Sequence, residues 1–143
     1  MRIVVDTNIV FSALLNADSR IARIILQPRS GLNFYSTHHL LTEIESHREK
    51  LRQLAGYTQE QYDDVFAQIS NRIKILDVRL IPVALMKNAL HLTRDVDVDD
   101  TEFIALTDHI KGKLRSGDKA LISGMQAKGW DKFILSKDLL EIV

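Results

Sequence analysis

Two short runs of strand-forming residues in this sequence each end at a carboxylate. Arg2-Ile3-Val4-Val5 is followed at once by Asp6, and residues 113–116 are followed by Gly117-Asp118. Carboxylate oxygens are ligands for hard divalent cations. Because open parallel sheets place their chemistry at the carboxyl ends of the strands, the two runs predict an acidic, metal-binding pocket at one edge of a sheet.

The elements that must position these acids alternate between strand and helix along the chain. This order predicts an α/β fold with a mostly parallel sheet. The expected strands are residues 2–5, 32–36, 73–76, 113–116 and 132–135. The expected helices are residues 9–15, 19–27, 37–51, a segment after Gly56, 83–92, 100–110, 119–127 and 137–141. Residues 37–71 are expected to form a protruding helical hairpin, a candidate for partner binding.

Size and composition predict one soluble domain over residues 1–143. Hydrophobic residues make up 45% of the chain and charged residues 27%, which are ordinary values for a globular protein. The absence of cysteine excludes disulfide and thiolate chemistry and agrees with a cytoplasmic location. No apolar run reaches the roughly 20 residues of a membrane helix, and the first residues do not resemble a signal peptide. The balance of 19 basic and 19 acidic residues argues weakly against bulk electrostatic binding of nucleic acid.

Parallel strands would bring four acids to one crevice. Asp6 and Asp118 follow the first and fourth strands. Glu43 lies within two turns of the start of the helix after the second strand. Asp100 lies at the amino end of the helix that leads into the fourth strand, so it returns to the same edge.

Four carboxylates in one crevice repel one another unless a cation is present. Oxygen ligands without nearby histidine or cysteine favour Mg²⁺ or Mn²⁺ over zinc. The five histidines have no ligand spacing among them, and we expect all five to be structural or on the surface. A site of this kind acts on phosphates, where metal ions activate water and stabilise the leaving oxygen.

Each acid also has an ordinary structural interpretation. Asp6 could be a helix N-cap, but Asn8 adds a second oxygen or an orienting amide two residues later. Glu43 could be a solvated surface acid, with Glu45 as a competing candidate. Asp118 could cap the helix that follows it.

The acidic turn at residues 95–100 requires a choice between neighbouring aspartates. Asp99 and Glu102 have the spacing of a capping box, so we expect Asp99 to be the N-cap. Asp100 would then be the first helical residue, bordering the buried face and able to turn into the crevice. We expect Asp95 and Asp97 to be loop acids without a direct role.

Four motifs occur in the order found in the PIN domain family. They are Val5-Asp6-Thr7-Asn8-Ile9-Val10, Leu41-Thr42-Glu43-Ile44, Asp99-Asp100-Thr101-Glu102-Phe103-Ile104-Ala105-Leu106 and Ser116-Gly117-Asp118-Lys119. Over essentially its whole length the chain resembles the VapC-like toxin ribonucleases, and most closely a short bacterial group of toxin–antitoxin PIN proteins. The resemblance implies a three-layer α/β/α sandwich with a parallel sheet.

The family's acids fall on Asp6, Glu43, Asp100 and Asp118, with Asp99 as the neighbouring alternative to Asp100. The resemblance implies metal binding by Asp6, Asp100 and Asp118, with Asn8, Asp99 and Ser116 in support. The family often has a further acid two residues after the fourth, where this chain has Ala120, which puts a secondary metal contact in doubt.

The resemblance further implies a Mg²⁺- or Mn²⁺-dependent endoribonuclease that leaves 5′-phosphate and 3′-hydroxyl ends on RNA. Such proteins are usually homodimers, and many are toxins of type II toxin–antitoxin systems that a cognate antitoxin silences. Two alternatives stay open. One is a PIN-like module that binds RNA or a partner without turnover. The other is a HAD-like phosphohydrolase, whose second aspartate would fall on the position of Asn8.

Overall fold

The computed structural model describes residues 1–28 and 31–142 of the chain. At its centre is a four-stranded sheet in the order β3-β2-β1-β4, and all neighbouring strands run parallel. The predicted α/β class is confirmed. The strands are β1 (Arg2–Val5), β2 (Asn33–Thr37), β3 (Ile73–Leu76) and β4 (Lys113–Arg115).

Helices cover both faces of the sheet, as a three-layer α/β/α sandwich requires. On the first face they are α1 (Thr7–Leu15), α2 (Arg20–Leu26), α3 (His38–Ser46), α4 (Arg48–Ala55), α5 (Gln59–Ser70) and α9 (Ser136–Ile142). On the second face they are α6 (Val83–Thr93), α7 (Thr101–Ile110) and α8 (Lys119–Ala127). Short 3₁₀ turns occupy Val78–Leu80 and Val98–Asp100. No helix in the described ranges has the length and apolar character needed to span a bilayer.

Side-chain alternation along β1 divides the core into two apolar layers. Ile3 and Val5 are fully buried against the first helical layer, and Val4 is fully buried against the second. Successive side chains of a strand point to opposite faces, so a strand covered on both sides has no polar face. This explains why β1 is an uninterrupted β-branched run.

Two predicted elements differ from the structure. Residues 132–135 form no strand and contribute only an isolated parallel bridge between Phe133 and Leu114. The helix predicted over residues 37–51 is interrupted at His47, whose Nδ1 lies 2.8 Å from the Glu43 carbonyl oxygen and whose ring packs on Phe11. The His47 backbone N–H still donates to the Glu43 carbonyl oxygen at 3.2 Å, so the interruption is confined to one residue with non-helical backbone angles.

The helices of the expected protruding hairpin, residues 37–71, bury one face against α1. Leu51, Tyr62 and Ile69 from these helices are all at most 4% exposed. Their burial follows the apolar stripe on α5 and the Leu51 side of α4.

Strands pass into helices almost without loops at the carboxyl edge of the sheet. Only Asp6 separates β1 from α1, and α3 begins directly after β2. Three residues, Ser116 to Asp118, separate β4 from α8. The amino ends of three helices therefore meet at this edge, where their unpaired N–H groups favour negative charge.

Candidate metal centre

The carboxyl edge of the sheet contains an open pocket of about 120 Å³. All four acids predicted from the sequence line it. The lining residues are Asp6, Thr7, Asn8, Glu43, Asp97, Asp99, Asp100 and Asp118.

Asp6 is both a helix cap and a wall of the pocket. Its Oδ1 accepts the backbone N–H of Ile9 at 2.9 Å, and the residue is only 3% exposed. Burial raises the pKa of Asp6, while interactions with the Ser116 hydroxyl and the Arg115 guanidinium oppose the rise. The two interpretations of Asp6 are therefore compatible, because one oxygen caps α1 and the carboxylate still lines the crevice.

Asp118 is held in the same way at the start of α8. Its Oδ1 accepts the Leu121 N–H at 3.1 Å, and its own N–H donates to Ser116 Oγ at 3.1 Å. Ser116 is only 1% exposed and also interacts with Asp6. The predicted supporting residue Ser116 thus lies between the acids that follow β1 and β4.

Glu43 reaches the pocket from the second turn of α3. Its Oε1 accepts the Thr7 hydroxyl at 3.1 Å, and its side chain is 33% exposed. The competing Glu45 is 75% exposed, does not line the pocket and lies 3.9 Å from Arg48. Asn8 is exposed and lines the pocket. The position two residues after Asp6, where a HAD-like phosphohydrolase would have its second aspartate, therefore has an amide and no carboxylate.

The acidic turn folds differently from the predicted capping box. Asp97, not Asp99, provides the side-chain cap, since its Oδ1 accepts the Asp99 N–H at 3.0 Å at the start of a 3₁₀ turn. Asp100 occupies the N-cap position of α7 and makes no side-chain cap bond. Glu102 instead accepts the Thr37 hydroxyl at 3.2 Å. Asp99 is exposed, whereas Asp100 is half-buried.

Buried contacts anchor this acidic turn to the second helical layer. The Thr101 hydroxyl lies 2.6 Å from Val98 O and 2.6 Å from the Thr93 hydroxyl. Val96 packs so closely on Gly124 that a Cβ at residue 124 would lie 2.9 Å from a Val96 methyl. The acids of the turn are therefore carried on a fixed segment of backbone.

Three acids come close enough together to share one cation. Asp97, Asp100 and Asp118 can each contribute an oxygen such that all three oxygens lie within 4.8 Å of one another. The sequence predicts Asp97 to be a loop acid without a direct role. The signal that could reveal it is its spacing, because Asp97 precedes Asp100 by three residues, which is one turn of a 3₁₀ helix.

Basic side chains offset little of the negative charge in the pocket, where Arg115 acts on Asp6 without a salt-bridge contact. Within the described ranges, no salt bridge involves an aspartate of the pocket. Burial raises the pKa of Asp100 to about 7, with further contributions from the negative charges of Asp97, Asp6 and Asp118. Several carboxylate oxygens held close together are the donor set that Mg²⁺ and Mn²⁺ bind.

The sequence that builds this pocket matches a known protein family. A family model described as the PIN domain matches residues 4–137. The chain belongs to the PIN domain family. The matched range includes every acid that lines the pocket. No curated protein matches the sequence.

The PIN fold is also found in a solved structure. The chain superposes with a TM-score of 0.65 and 14% identity on a chain from the crystal structure of VapBC2 from Rickettsia felis bound to a DNA fragment from their promoter. The match covers 94% of this chain and 97% of that one. At this identity the similarity is one of fold.

Proposed function

We propose that this PIN domain is a Mg²⁺- or Mn²⁺-dependent endoribonuclease that hydrolyses RNA phosphodiester bonds. One observation carries the proposal. Five aspartates and Glu43 line a single pocket, and none of these aspartates has a basic side chain in salt-bridge contact within the described residues. A divalent cation would relieve the repulsion that this arrangement creates.

The residues divide into distinct roles. Asp97, Asp100 and Asp118 have the mutual spacing to hold the ion, and Asp6 lies beside them as a buried fourth carboxylate. A divalent ion held by these acids would supply positive charge for the phosphate oxygens and lower the pKa of a bound water. Glu43 would contribute a further carboxylate at the wall of the pocket, where Thr7 donates to it, and Ser116, which contacts both Asp6 and Asp118, would hold these two acids in position.

We further propose that the protein is the toxin of a type II toxin–antitoxin pair. Membership of the PIN family and the likeness of its fold to VapBC2 support this assignment. A cognate antitoxin would be the protein partner, RNA the substrate and a homodimer the working assembly. The corresponding location is the cytoplasm.

The direct test is RNA cleavage by the wild type and by Asp6→Asn. We expect the wild type to cleave total RNA with Mg²⁺ or Mn²⁺ and to stop on addition of EDTA. Because the variant loses a charge at the centre of the site, its rate should fall by at least about 100-fold. A circular dichroism spectrum should show that the fold is kept.

Asp77→Asn is the matched control, since it makes the same change at a surface acid paired with Arg79. Undiminished cleavage by Asp6→Asn in preparations free of contaminating nuclease would overturn the proposal. Binding of Mn²⁺ without turnover on any RNA would favour the non-catalytic binding module instead.

A further inference from the structure

The Glu43 carboxylate is flanked by two side chains on the wall of the pocket. Thr7 donates its hydroxyl to Oε1 at 3.1 Å, and Nε2 of His39 lies 2.5 Å from the same oxygen. His39 precedes Glu43 by four residues, so the two side chains share one face of α3. Both contacts are made to Oε1. Within the described ranges Oε2 takes no hydrogen bond.

The surroundings of His39 fix its ring. The side chain is 34% exposed, but its Nε2 atom is buried and makes no aligned hydrogen bond within the described part of the chain. The ring packs at a tilt against Phe103, with 6.1 Å between the ring centroids. A buried polar atom requires a partner, and Glu43 Oε1 is the acceptor within its reach.

We propose that His39 is a positioning residue for Glu43, and this inference rests on the proposed nuclease function. A glutamate on a helix surface samples many rotamers, and ordering it costs conformational entropy. By holding Oε1 between an imidazole and a hydroxyl, His39 and Thr7 restrict those rotamers before substrate arrives. Oε2 then stays available to the water or the cation in the pocket, which is the preorganisation that efficient catalysis requires.

The neighbouring histidine provides a control. His38 is exposed and, as the adjacent residue of the helix, lies on a different face of α3. His39→Phe keeps an aromatic ring against Phe103 but removes the nitrogen that faces Glu43. His39→Gln restores an N–H donor. His38→Phe makes the same substitution one residue away.

The first measurement is independent of activity. NMR signals of the Glu43 γ-methylene group, assigned with a Glu43→Gln variant, should shift or broaden in His39→Phe. They should return toward the wild-type position in His39→Gln and stay unchanged in His38→Phe. If the Glu43 signals are the same in His39→Phe and the wild type, His39 does not hold this carboxylate and the inference is wrong.

The second measurement separates positioning from packing. In metal-dependent RNA cleavage, His39→Phe should lower kcat by about 10-fold with little change in KM, as loss of a supporting partner does. His39→Gln should recover part of the loss, and His39→Phe should have no further effect in a Glu43→Gln background. Unchanged kcat in His39→Phe would overturn the positioning role. Absence of cleavage by the wild type would instead overturn the proposed function, while the NMR result would still decide whether His39 holds Glu43.

Discussion

The aspartates of the pocket and the aspartates of the surface meet opposite electrostatic conditions in the same molecule. Asp77 accepts from Arg79 through both carboxylate oxygens, with 3.0 Å between Nε and Oδ2, and this pairing lowers its pKa to about 2. Lys128 likewise lowers the pKa of Asp95. Burial and, after it, the negative charges of the neighbouring aspartates raise the pKa of Asp100 to about 7.

The difference shows what each group of acids contributes. The negative charge of each surface acid is compensated by a basic side chain of the same protein. Exposed pairs of this kind add little to stability. Asp6 and Asp100 destabilise the metal-free fold, because a carboxyl whose pKa is raised in the folded state costs free energy when it ionises. A fold that carries this cost has an acidic site that an external cation can complete.

Asp100→Asn should have the largest effects of these substitutions, lowering the activity while raising the stability of the metal-free protein. We expect cleavage to fall by at least about 100-fold, because the variant removes one of the three acids that can share a cation. In EDTA at pH 8 the same variant should unfold with a free energy about 1–2 kcal/mol higher than the wild type, after allowance for partial solvent exposure. Urea unfolding and cleavage assays measure the two effects.

The pH dependence of this gain has a defined sign. The folded pKa of Asp100 is about 7 and lies above the ordinary value of 3.8, so the metal-free wild type should lose stability as pH rises between these values. The advantage of Asp100→Asn should therefore be small at pH 4 and full above pH 7.

For the control Asp77→Asn, the sign of the pH dependence is opposite. The Asp77 contribution is present above pH 4 and is lost as pH falls toward 2. An Asp100→Asn variant that is less stable than the wild type at pH 8 would contradict the comparison.

A smaller effect distinguishes the two other acids of the turn. Asp97→Asn should weaken Mn²⁺ binding and cleavage by about 10-fold, because Asp97 belongs to the close group while its asparagine amide oxygen can still cap the 3₁₀ turn. Asp99→Asn should change both by less than about twofold, since Asp99 is exposed. Calorimetric titration with Mn²⁺ measures the binding. A larger loss of Mn²⁺ binding in Asp99→Asn than in Asp97→Asn would show that Asp99, and not Asp97, contributes to the metal site.

Much of the site follows from sequence because its positions depend on connectivity. A β-branched run buried on both faces identifies β1, and parallel strands bring Asp6 and Asp118 to one edge. The same reasoning places Glu43 on the helix after β2 and Asp100 at the amino end of the helix that leads to β4. All four acids line the pocket as predicted.

The parts that were not predicted depend on side-chain contacts between distant segments. Thr101 meets Thr93 and Val96 packs on Gly124, and these contacts accompany the 3₁₀ turn that brings Asp97 into the site. The spacing of Asp99 and Glu102 permits a capping box. The Glu102 carboxylate instead accepts a hydrogen bond from Thr37, which lies at the end of β2. Local spacing cannot reveal such partners.

Two further differences have the same origin. Residues 132–135 have strand-like composition, but they pair with β4 only at Phe133. The sequence predicts structural or surface positions for all five histidines. The contact between His39 and Glu43, which links His39 to the pocket, becomes visible only in the folded structure.

Binding of a divalent cation by the pocket at the carboxyl edge can be observed by anomalous diffraction from crystals grown with Mn²⁺. We predict an anomalous peak between the carboxylates of Asp97, Asp100 and Asp118, beside Asp6, and its absence in crystals of Asp100→Asn. A wild-type crystal in saturating Mn²⁺ with no peak in this pocket, or with its peak elsewhere, would show that these carboxylates do not bind the cation.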